Sequence, residues 1–374
     1  MTIEIKKNNL LKALNHISGA VEKRNSVPIL TNVKISATDS NFVLTATDME
    51  LSVTESIHAN IEQDINTTIP ATLFYEIVKK LPDAQDVKLQ HNPDKQIFTI
   101  SCSKSKFNLP TISSQDYPDI QISNIEKSFK LSKNDLQKMI DKTKFAISTE
   151  ETRYYLNGLF LHDTKSNDLN ILRAVATDGH RLARVDFPLP DGAENMPDII
   201  IPRKTIYEIR KIIADDNETD EVLFEISKTK IKISFKNSHI ISKLIDGTYP
   251  NYQRVIPDKN NIILKTKLKN LADAIDRVST INIDRSKAIR FQVKSNKILL
   301  TAKNDETGDA MEEISVDFNN ESIETGFNSK YLLEMTSIID GEEAEFRFEN
   351  NVSPATIHDS KDDSSLFVIM PMKV

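Results

Sequence analysis

Three related segments follow one another along this chain of 374 residues. Asp48, Asp178 and Asn304 hold matching positions in one family of segments, 130 and then 126 residues apart. Two more families recur in the same order at nearly the same period. The three families read TATDMEL (45–51), VATDGHRL (175–182) and LTAKNDE (300–306); IPATLFYEIVKKL (69–81), IPRKTIYEIRKII (201–213) and FNSKYLLEMTSII (327–339); NNLLKALNHIS (8–18), KNDLQKMIDKT (133–143) and KNLADAIDRVS (269–279). This repetition predicts three related domains of about 125 residues, which we place at 1–125, 126–257 and 258–374.

Each repeat mixes helical and strand periodicity. The segment KIKISFK (230–236) alternates apolar and polar residues, as a strand with one buried face does. Pro70 and Pro202 stand where helices are expected to begin, since N–H groups of the first turn have no partner inside the helix. In the second repeat, apolar residues recur with the spacing of one helical face at Leu136, Met139, Ile140, Thr143 and Ile147. We therefore predict an α+β fold in which each repeat packs two amphipathic helices on antiparallel sheet, with helices within 7–24, 70–81, 132–147, 202–213, 265–278 and 328–339.

The composition is that of a globular protein that works in a reducing compartment. One cysteine, Cys102, excludes an intrachain disulfide and a metal cage of several cysteines. No run of about 18 apolar residues predicts a transmembrane helix, and the first residues lack the apolar stretch of a secretory signal. We expect a cytoplasmic protein without a metal ion or a cofactor.

Positive charge is concentrated on the six helical windows. They carry 19 basic and 8 acidic residues, whereas the whole chain has a formal net charge of −7, so the remainder carries −18. Lys138 and Lys142 lie one turn apart on one helical face and are expected to face the same polyanion. Basic helices on an acidic body would hold a polyanion on one side only, although lysine-rich faces are also common on simple solvated helices.

The segment VATDGHRL contains Asp178, His180 and Arg181 around a glycine, which raises the question of a catalytic site. Neither a phosphate-binding glycine loop nor a zinc-binding helix motif nor a nucleophile elbow occurs in the sequence. The other two repeats have no histidine at the position of His180. We therefore interpret this segment as a structural turn that is specialised in the middle repeat, and we expect no catalytic residues.

Several long segments of the chain closely resemble the bacterial DNA polymerase III beta subunit family, the sliding clamps of replication. They are VPILTNV (27–33), RYYLNGLFL (153–161), ATDGHRLA (176–183), IPRK (201–204), KLIDGTYPNYQRVIP (243–257) and VIMPMKV (368–374). The resemblance implies a head-to-tail homodimer that closes a ring of six clamp domains around duplex DNA, with helices lining the hole. Such a ring would be a non-enzymatic processivity factor, tethering the polymerase without reading the DNA sequence.

The resemblance also implies a hydrophobic cleft for partner peptides between the second and third domains. Its expected lining is Leu156, Thr177, Gly179, His180, Arg181, Leu182, Pro250, Arg254, Val255, Pro354, Val368, Met370, Pro371 and Met372. Methionine suits such a cleft because an unbranched thioether repacks easily around different ligands. Without the family, VIMPM would more often be a buried last strand. Pro354 replaces the small polar residue common there, and Lys373 stands where arginine is expected.

For DNA contacts, the residues that match the family are Arg24, Lys79, Arg153, Tyr154, Tyr155, Arg203 and Lys204. Thr72 and Thr248 replace basic residues expected at two further contacts. The dimer seam would join Phe107 and Leu109 of one subunit to Thr280 and Ile281 of the other, and Thr280 is less apolar than usual.

The expected partners are primer–template DNA, a second copy of the chain, the polymerase alpha subunit and the clamp loader delta subunit. Translesion polymerases, mismatch-repair proteins and ligase are also expected, but no membrane. Two other functions remain open: an enzyme that uses His180 with Asp178, and a monomeric protein-binding scaffold that does not enclose DNA.

Overall fold

The computed structural model describes residues 2–22, 27–62, 64–282 and 287–373. Within them the chain forms six α-helices, two per repeat. Four lie inside windows that the sequence predicts, and the fourth and fifth overlap theirs but end two residues and one residue beyond 213 and 278. The helices are α1 (Lys7–Ile17), α2 (Ala71–Lys80), α3 (Lys133–Thr143), α4 (Arg203–Asp215), α5 (Leu268–Ser279) and α6 (Ser329–Thr336). Pro70 and Pro202 are the residues immediately before α2 and α4, as their sequence positions indicate.

The described residues also form 25 strands, and they pair in antiparallel fashion, for example β1 with β5, β13 with β25 and β17 with β4. In chain order they are β1 (Ile3–Lys6), β2 (Asn32–Thr38), β3 (Asn41–Thr47), β4 (Leu51–His58), β5 (Asn60–Ile61), β6 (Ile65–Pro70), β7 (Asp86–Asn92), β8 (Ile97–Cys102), β9 (Ser105–Pro110), β10 (Lys127–Ser132), β11 (Gly158–Ser166), β12 (Leu169–Thr177), β13 (Arg181–Pro188), β14 (Ile199–Pro202), β15 (Glu221–Ile226), β16 (Lys230–Ser234), β17 (Ser238–Lys243), β18 (Ile262–Lys267), β19 (Ala288–Lys294), β20 (Lys297–Asn304), β21 (Gly308–Ser315), β22 (Ile323–Asn328), β23 (Glu343–Phe348), β24 (Ala355–Asp359) and β25 (Asp362–Ile369).

The chain divides into two compact units, and the first contains residues 1–137, 190–197 and 201–245. It holds a five-stranded sheet in the order β5-β1-β7-β8-β9 and an eight-stranded sheet in the order β10-β15-β16-β17-β4-β3-β2-β6. The eight-stranded sheet is shared, because β17 of the second repeat pairs with β4 of the first.

The second unit contains residues 138–189, 198–200 and 246–374. Its eight-stranded sheet has the order β14-β11-β12-β13-β25-β24-β23-β18, and its four-stranded sheet has the order β21-β20-β19-β22. Here β25 of the third repeat pairs with β13 of the second. Each unit therefore contains one sheet that continues from one repeat into the next.

The two shared sheets are joined in the same register. Val53 of β4 lies opposite Ile240 of β17, and Ala183 of β13 lies opposite Phe367 of β25. These two pairs occupy matching positions in the repeats, and all four side chains are buried. Matching strands thus meet with matching apolar residues at both junctions.

The helices pack on these sheets through the faces that their periodicity predicts. In α1 the buried apolar side chains are Leu10, Ala13, Leu14 and Ile17, and this helix packs against β4 and α2. In α5 they are Leu268, Leu271, Ala274, Ile275 and Val278. Spacings of three and four residues place such side chains on one face, so each helix covers the core side of a sheet.

The pair Lys138 and Lys142 differs from the sequence interpretation, because neither lysine is a free charge on the helix surface. Lys138 Nζ contacts Asp362 Oδ1 at 2.9 Å. Burial raises the pKa of Asp362, but hydrogen bonds from Ser364 and Lys138 outweigh it and lower that pKa to about 2. The side chain of Lys142 is 6% exposed, and its Nζ contacts Asp340 at 2.8 Å and Asp359 at 3.4 Å. Both lysines bind carboxylates of the third repeat inside the second unit.

Replacing Lys142 with methionine should destabilise the second unit by about 3 kcal/mol, because it leaves the buried carboxylate of Asp359 without its cation. The matched control is Lys144→Met, which removes a half-exposed pair with Asp141 and should cost less than about 1 kcal/mol. Urea unfolding followed by circular dichroism measures both changes. Equal losses for the two variants would contradict the structural role of Lys142.

Candidate functional site

A pocket of about 250 Å³ opens in the second unit beside the junction of β13 and β25. The residues around it come from a helical turn, from two hairpin strands and from a loop in the second repeat, together with the last strand of the third. They are Arg153, Tyr155, Leu156, Thr177, Gly179, Arg181, Leu182, Pro250, Asn251, Tyr252, Val255, Val368 and Met370.

One wall of the pocket is the tight turn between β12 and β13. The Asp178 carboxylate accepts hydrogen bonds from the backbone N–H of His180 at 2.9 Å and of Arg181 at 3.0 Å. Gly179 has φ of +87°, and a Cβ there would lie 2.5 Å from a guanidinium nitrogen of Arg153. Glycine is therefore required twice, for the backbone conformation and for the approach of Arg153.

Arg181 fixes this turn to the third repeat. Its guanidinium contacts Asp178 at 3.1 Å, donates to the Phe145 carbonyl at 2.5 Å and forms an ion pair with Glu334. The same group lies 4.2 Å from the ring centre of Tyr331. Because the side chain is only 7% exposed, Arg181 stabilises the pocket wall more than it offers a free charge to a ligand.

The floor of the pocket is the strand junction itself. Leu182 lies opposite Val368 in the pairing of β13 with β25, and both side chains are buried. Just beyond β25, the N–H of Met370 donates to the His180 carbonyl at 2.9 Å. The junction therefore supplies an apolar floor and holds Met370 at its rim.

The opposite wall is the loop around Tyr249 and Tyr252, which aromatic stacking holds in place. The Tyr249 ring stacks on Phe160 with centroids 4.5 Å apart and planes 2° apart, and burial raises the pKa of Tyr249. The Tyr252 hydroxyl lies 3.0 Å from His162 Nε2, and burial lowers the pKa of His162. The wall is thus a neutral, packed surface suited to apolar ligand groups.

Most of the residues predicted for the cleft come together in this pocket. Leu156, Thr177, Gly179, Arg181, Leu182, Pro250, Val255, Val368 and Met370 all line it. Five others lie outside its lining: His180, Arg254, Pro354, Pro371 and Met372. The His180 ring stacks near Tyr331, 6.3 Å between centroids, and the N–H of Met372 donates to the Gly326 carbonyl at 2.8 Å.

Four lining residues were not predicted as part of the cleft. Asn251 and Tyr252 lie inside the segment KLIDGTYPNYQRVIP (243–257), which also contains Pro250 and Val255, so their place in this segment is the sequence signal for them. Arg153 and Tyr155 were predicted for DNA instead. Nothing in their sequence distinguishes the two uses, because the short helical turn Glu151–Leu156 brings them to the pocket only in the folded chain.

The residues predicted to contact DNA are divided between the two units. In the first unit, Lys79 lies over the Tyr75 ring, Arg203 lies over the Tyr207 ring, and Lys204 contacts Asp48 at 2.5 Å. In the second unit, Arg153 contacts Glu150 at 2.7 Å, and Tyr154 is 53% exposed with its ring against Tyr155. Arg24 lies outside the described residues.

The predicted seam residues lie on or beside two strand edges. Phe107, which is 37% exposed, and buried Leu109 belong to β9, the last strand of the five-stranded sheet. Thr280 and Ile281 follow α5, and the Ile281 carbonyl accepts a hydrogen bond from Thr307 at 2.6 Å, just before β21. In the described parts of the two sheets, β9 and β21 each have a strand on one side only.

In residues 2–22, 27–62, 64–282 and 287–373, no helix is long and apolar enough to span a bilayer. The same residues contain no group of three or more histidine, cysteine or acidic side chains arranged to hold a metal ion.

Comparison with known families gives matches over nearly the whole chain. Models of the DNA polymerase III beta subunit match as its N-terminal domain at residues 1–121, its central domain at 130–251 and its C-terminal domain at 253–373. The beta sliding clamp of Caulobacter vibrioides is 41% identical over 374 residues, and that of Pseudomonas aeruginosa is 30% identical over 375. Both alignments cover 100% of each chain.

Solved structures agree with these matches. The sliding clamp of Bartonella birtlesii bound to griselimycin superposes with a TM-score of 0.95 at 40% identity. The DNA polymerase sliding clamp of Caulobacter crescentus superposes with a TM-score of 0.90 at 41% identity. Each covers 100% of both chains. With three repeated domains of two helices on antiparallel sheet, the chain belongs to the DNA polymerase III beta subunit family, the beta sliding clamps.

Proposed function

We propose that two copies of this chain close head to tail into a ring, a DNA polymerase processivity factor that encircles duplex DNA. The observation that carries this proposal is that β9 and β21, in the described parts of their sheets, each have a strand on one side only. By position in the repeats, β9 corresponds to β17 and β25, while β21 corresponds to β4 and β13. Both junctions inside the chain pair a strand that corresponds to β9 with a strand that corresponds to β21. A third junction of this type, between β9 and β21 themselves, requires a second copy of the chain.

The register of that third junction follows from the other two. Phe107 corresponds to Ile240 and Phe367. Each of the three lies on the last strand of its repeat, directly opposite an isoleucine of the preceding strand. Ala310 corresponds to Val53 and Ala183 by the pairing of β20 with β21. Phe107 of one copy should therefore lie opposite Ala310 of the other, and the partly exposed phenyl ring would be covered on assembly.

Cysteines placed at the predicted neighbours should cross-link two copies. In the proposed register Asn108 lies opposite Asp309, both exposed, and directly opposed residues are roughly 4.5–5.5 Å apart, within disulfide range. The variant Asn108→Cys/Asp309→Cys should give covalent dimer on a non-reducing gel after oxidation. The control Asn108→Cys/Glu313→Cys shifts the second cysteine by about 13 Å and should stay monomeric on the gel. Stronger cross-linking of the control would refute the register.

The proposed action on DNA is topological retention, without sequence recognition. The basic helices of both units would face the duplex, and the acidic remainder of the chain would repel it elsewhere. Arg203 and Lys204 at the start of α4 and the exposed Tyr154 support such contacts, since arginine and lysine bind phosphate and tyrosine stacks on exposed bases. Arg24, Lys79, Arg153 and Tyr155 complete the proposed set.

The protein, loaded by an ATP-driven clamp loader, should remain on a nicked circular plasmid through gel filtration and leave when the plasmid is linearised. The physical reason is that a closed ring can escape only over a free end. As a control, linear DNA with streptavidin bound at both ends should retain the protein. Equal persistence on unblocked linear DNA would show direct tight binding and disprove enclosure.

The pocket is proposed to bind short apolar segments of partner proteins. Its floor of Leu182 and Val368, its packed tyrosine wall and the flexible Met370 at the rim suit variable apolar side chains. We propose the alpha subunit of the replicative polymerase and the delta subunit of the clamp loader as principal partners, with translesion polymerases, mismatch-repair proteins and ligase as others. His180, Arg254, Pro354, Pro371 and Met372 would extend the site beyond the pocket.

Replacing Met370 with alanine should raise the dissociation constant of a fluorescent partner peptide by about tenfold, the usual effect of truncating an apolar contact in an interface. Met49→Ala is the matched control. Met49 is 45% exposed and lies in the turn between β3 and β4, which corresponds in the first repeat to the pocket's turn between β12 and β13. Fluorescence anisotropy should give an unchanged affinity for that control. Equal affinities for wild type and Met370→Ala would exclude this pocket as the peptide site.

A non-catalytic role fits the surroundings of His180. The oxygens of Asp178 are occupied by backbone N–H groups and by Arg181, so Asp178 is not arranged to orient the imidazole as a catalytic base would need. We propose domains at 1–125, 126–257 and 258–374 and a cytoplasmic location. A monomeric scaffold is the competing function, and it would leave β9 and β21 unpaired.

A further inference from the structure

One position near the end of the first helix of each repeat carries a basic residue. Aligning the segments KKNNLLKALNHIS (6–18), SKNDLQKMIDKTK (132–144) and KLKNLADAIDRVS (267–279) places His16, Lys142 and Arg277 at the same position. In two of the repeats this position connects neighbouring repeats through an acidic residue. In the third, among the residues that the structure describes, its ion pair is with a residue of its own repeat.

At the first junction the residue at this position is His16, whose side chain is 2% exposed. Its Nδ1 contacts the carboxylate of Glu55 on β4, in its own repeat. Its Nε2 lies 3.2 Å from an oxygen of Asp215, the last residue of α4 in the next repeat. His16 thus lies between one acid of its own repeat and one acid of the neighbour.

At the second junction the corresponding residue is Lys142, which contacts Asp340 at 2.8 Å. Asp340 follows α6 and lies eleven residues after its first residue, Ser329, while Asp215 lies twelve residues after Arg203, the first residue of α4. Both junctions therefore place an aspartate at or just after the end of the neighbour's second helix against the basic residue.

In the third repeat the cation is Arg277, and half of this arrangement is already present. Arg277 Nε and Nη2 contact Glu312 of β21 at 3.0 and 2.5 Å. Glu312 holds the position that Glu55 holds in the first repeat, two residues beyond Ala310 just as Glu55 is two beyond Val53. The pair of Arg277 with Glu312 therefore reproduces the pair of His16 with Glu55, but without an acid from a neighbouring repeat.

Asp83 holds the position of the acid that a neighbouring repeat would supply to Arg277. It lies twelve residues after Ala71, the first residue of α2, which is the spacing of Asp215 in the second repeat. Its side chain is 88% exposed, and one oxygen contacts Lys7 at 2.5 Å. Asp83 thus presents an exposed carboxylate at the end of the one second helix that has no partner repeat in the described chain.

We propose that Arg277 of one copy forms an ion pair with Asp83 of a second copy, on the core side of the strands β9 and β21. The pair rests on the self-association proposed above and adds a charged contact to it. Arginine suits this position because its planar guanidinium carries five N–H donors and can hold Glu312 and Asp83 together. The ion pair would favour the head-to-tail arrangement, since only that arrangement brings the end of α5 to the end of α2.

A double-mutant cycle on the dimer dissociation constant tests this pair. Arg277→Gln and Asp83→Asn should each raise the dimer dissociation constant about tenfold. The double variant should have a dissociation constant no more than about tenfold above that of wild type. Arg290→Gln is the control, because Arg290 is 51% exposed and pairs with Glu324 within its own repeat. Sedimentation at several concentrations should give an unchanged dissociation constant for that control.

Independent losses, giving a double variant about a hundredfold weaker than wild type, would overturn the ion pair. Single variants that match wild type would also overturn it. Wild-type protein that stays monomeric at micromolar concentration would instead refute the ring, and the pair with it. The wild-type measurement therefore separates failure of the proposed function from failure of this contact.

Discussion

Antiparallel pairing between strands of neighbouring repeats is the interaction on which the rest of this structure depends. β17 joins β4, and β25 joins β13, in the same register. Each pairing satisfies backbone groups that an edge strand would leave open and brings two rows of apolar side chains into one core. The pocket exists because of the second pairing, since its floor is the pair of Leu182 and Val368.

The turns before β4 and β13 show how a repeated structural element acquires a specialised role. In the first repeat, Asp48 accepts N–H groups of Glu50 and Leu51, just as Asp178 accepts those of His180 and Arg181. The carboxylate closes the turn in both cases. In the second repeat Gly179 follows the aspartate where the first repeat has Met49, and the buried Arg181 binds the neighbouring repeat. There the turn becomes one wall of a pocket.

Buried charge has a structural role at the same junctions. Lys138 and Lys142 look alike in sequence, as lysines one turn apart on an amphipathic helix. In the folded chain Lys142 is buried against Asp359 and Asp340, whereas exposed lysines elsewhere remain available to a polyanion. A charge count over helices therefore overstates the positive surface, because some of the basic residues neutralise acids inside a unit.

The sequence alone predicts the three repeats, the six helices, the strand-rich remainder and the family. These follow from local periodicity and from recurring segments, which the order of residues records directly. The tertiary structure decided which strands meet across repeats, that Arg153 and Tyr155 line the pocket, and that Lys142 is buried. Such facts depend on residues far apart in the chain: Lys142 and Asp359 are 217 positions apart. Only folding brings their charges into contact, and no local pattern encodes that distance.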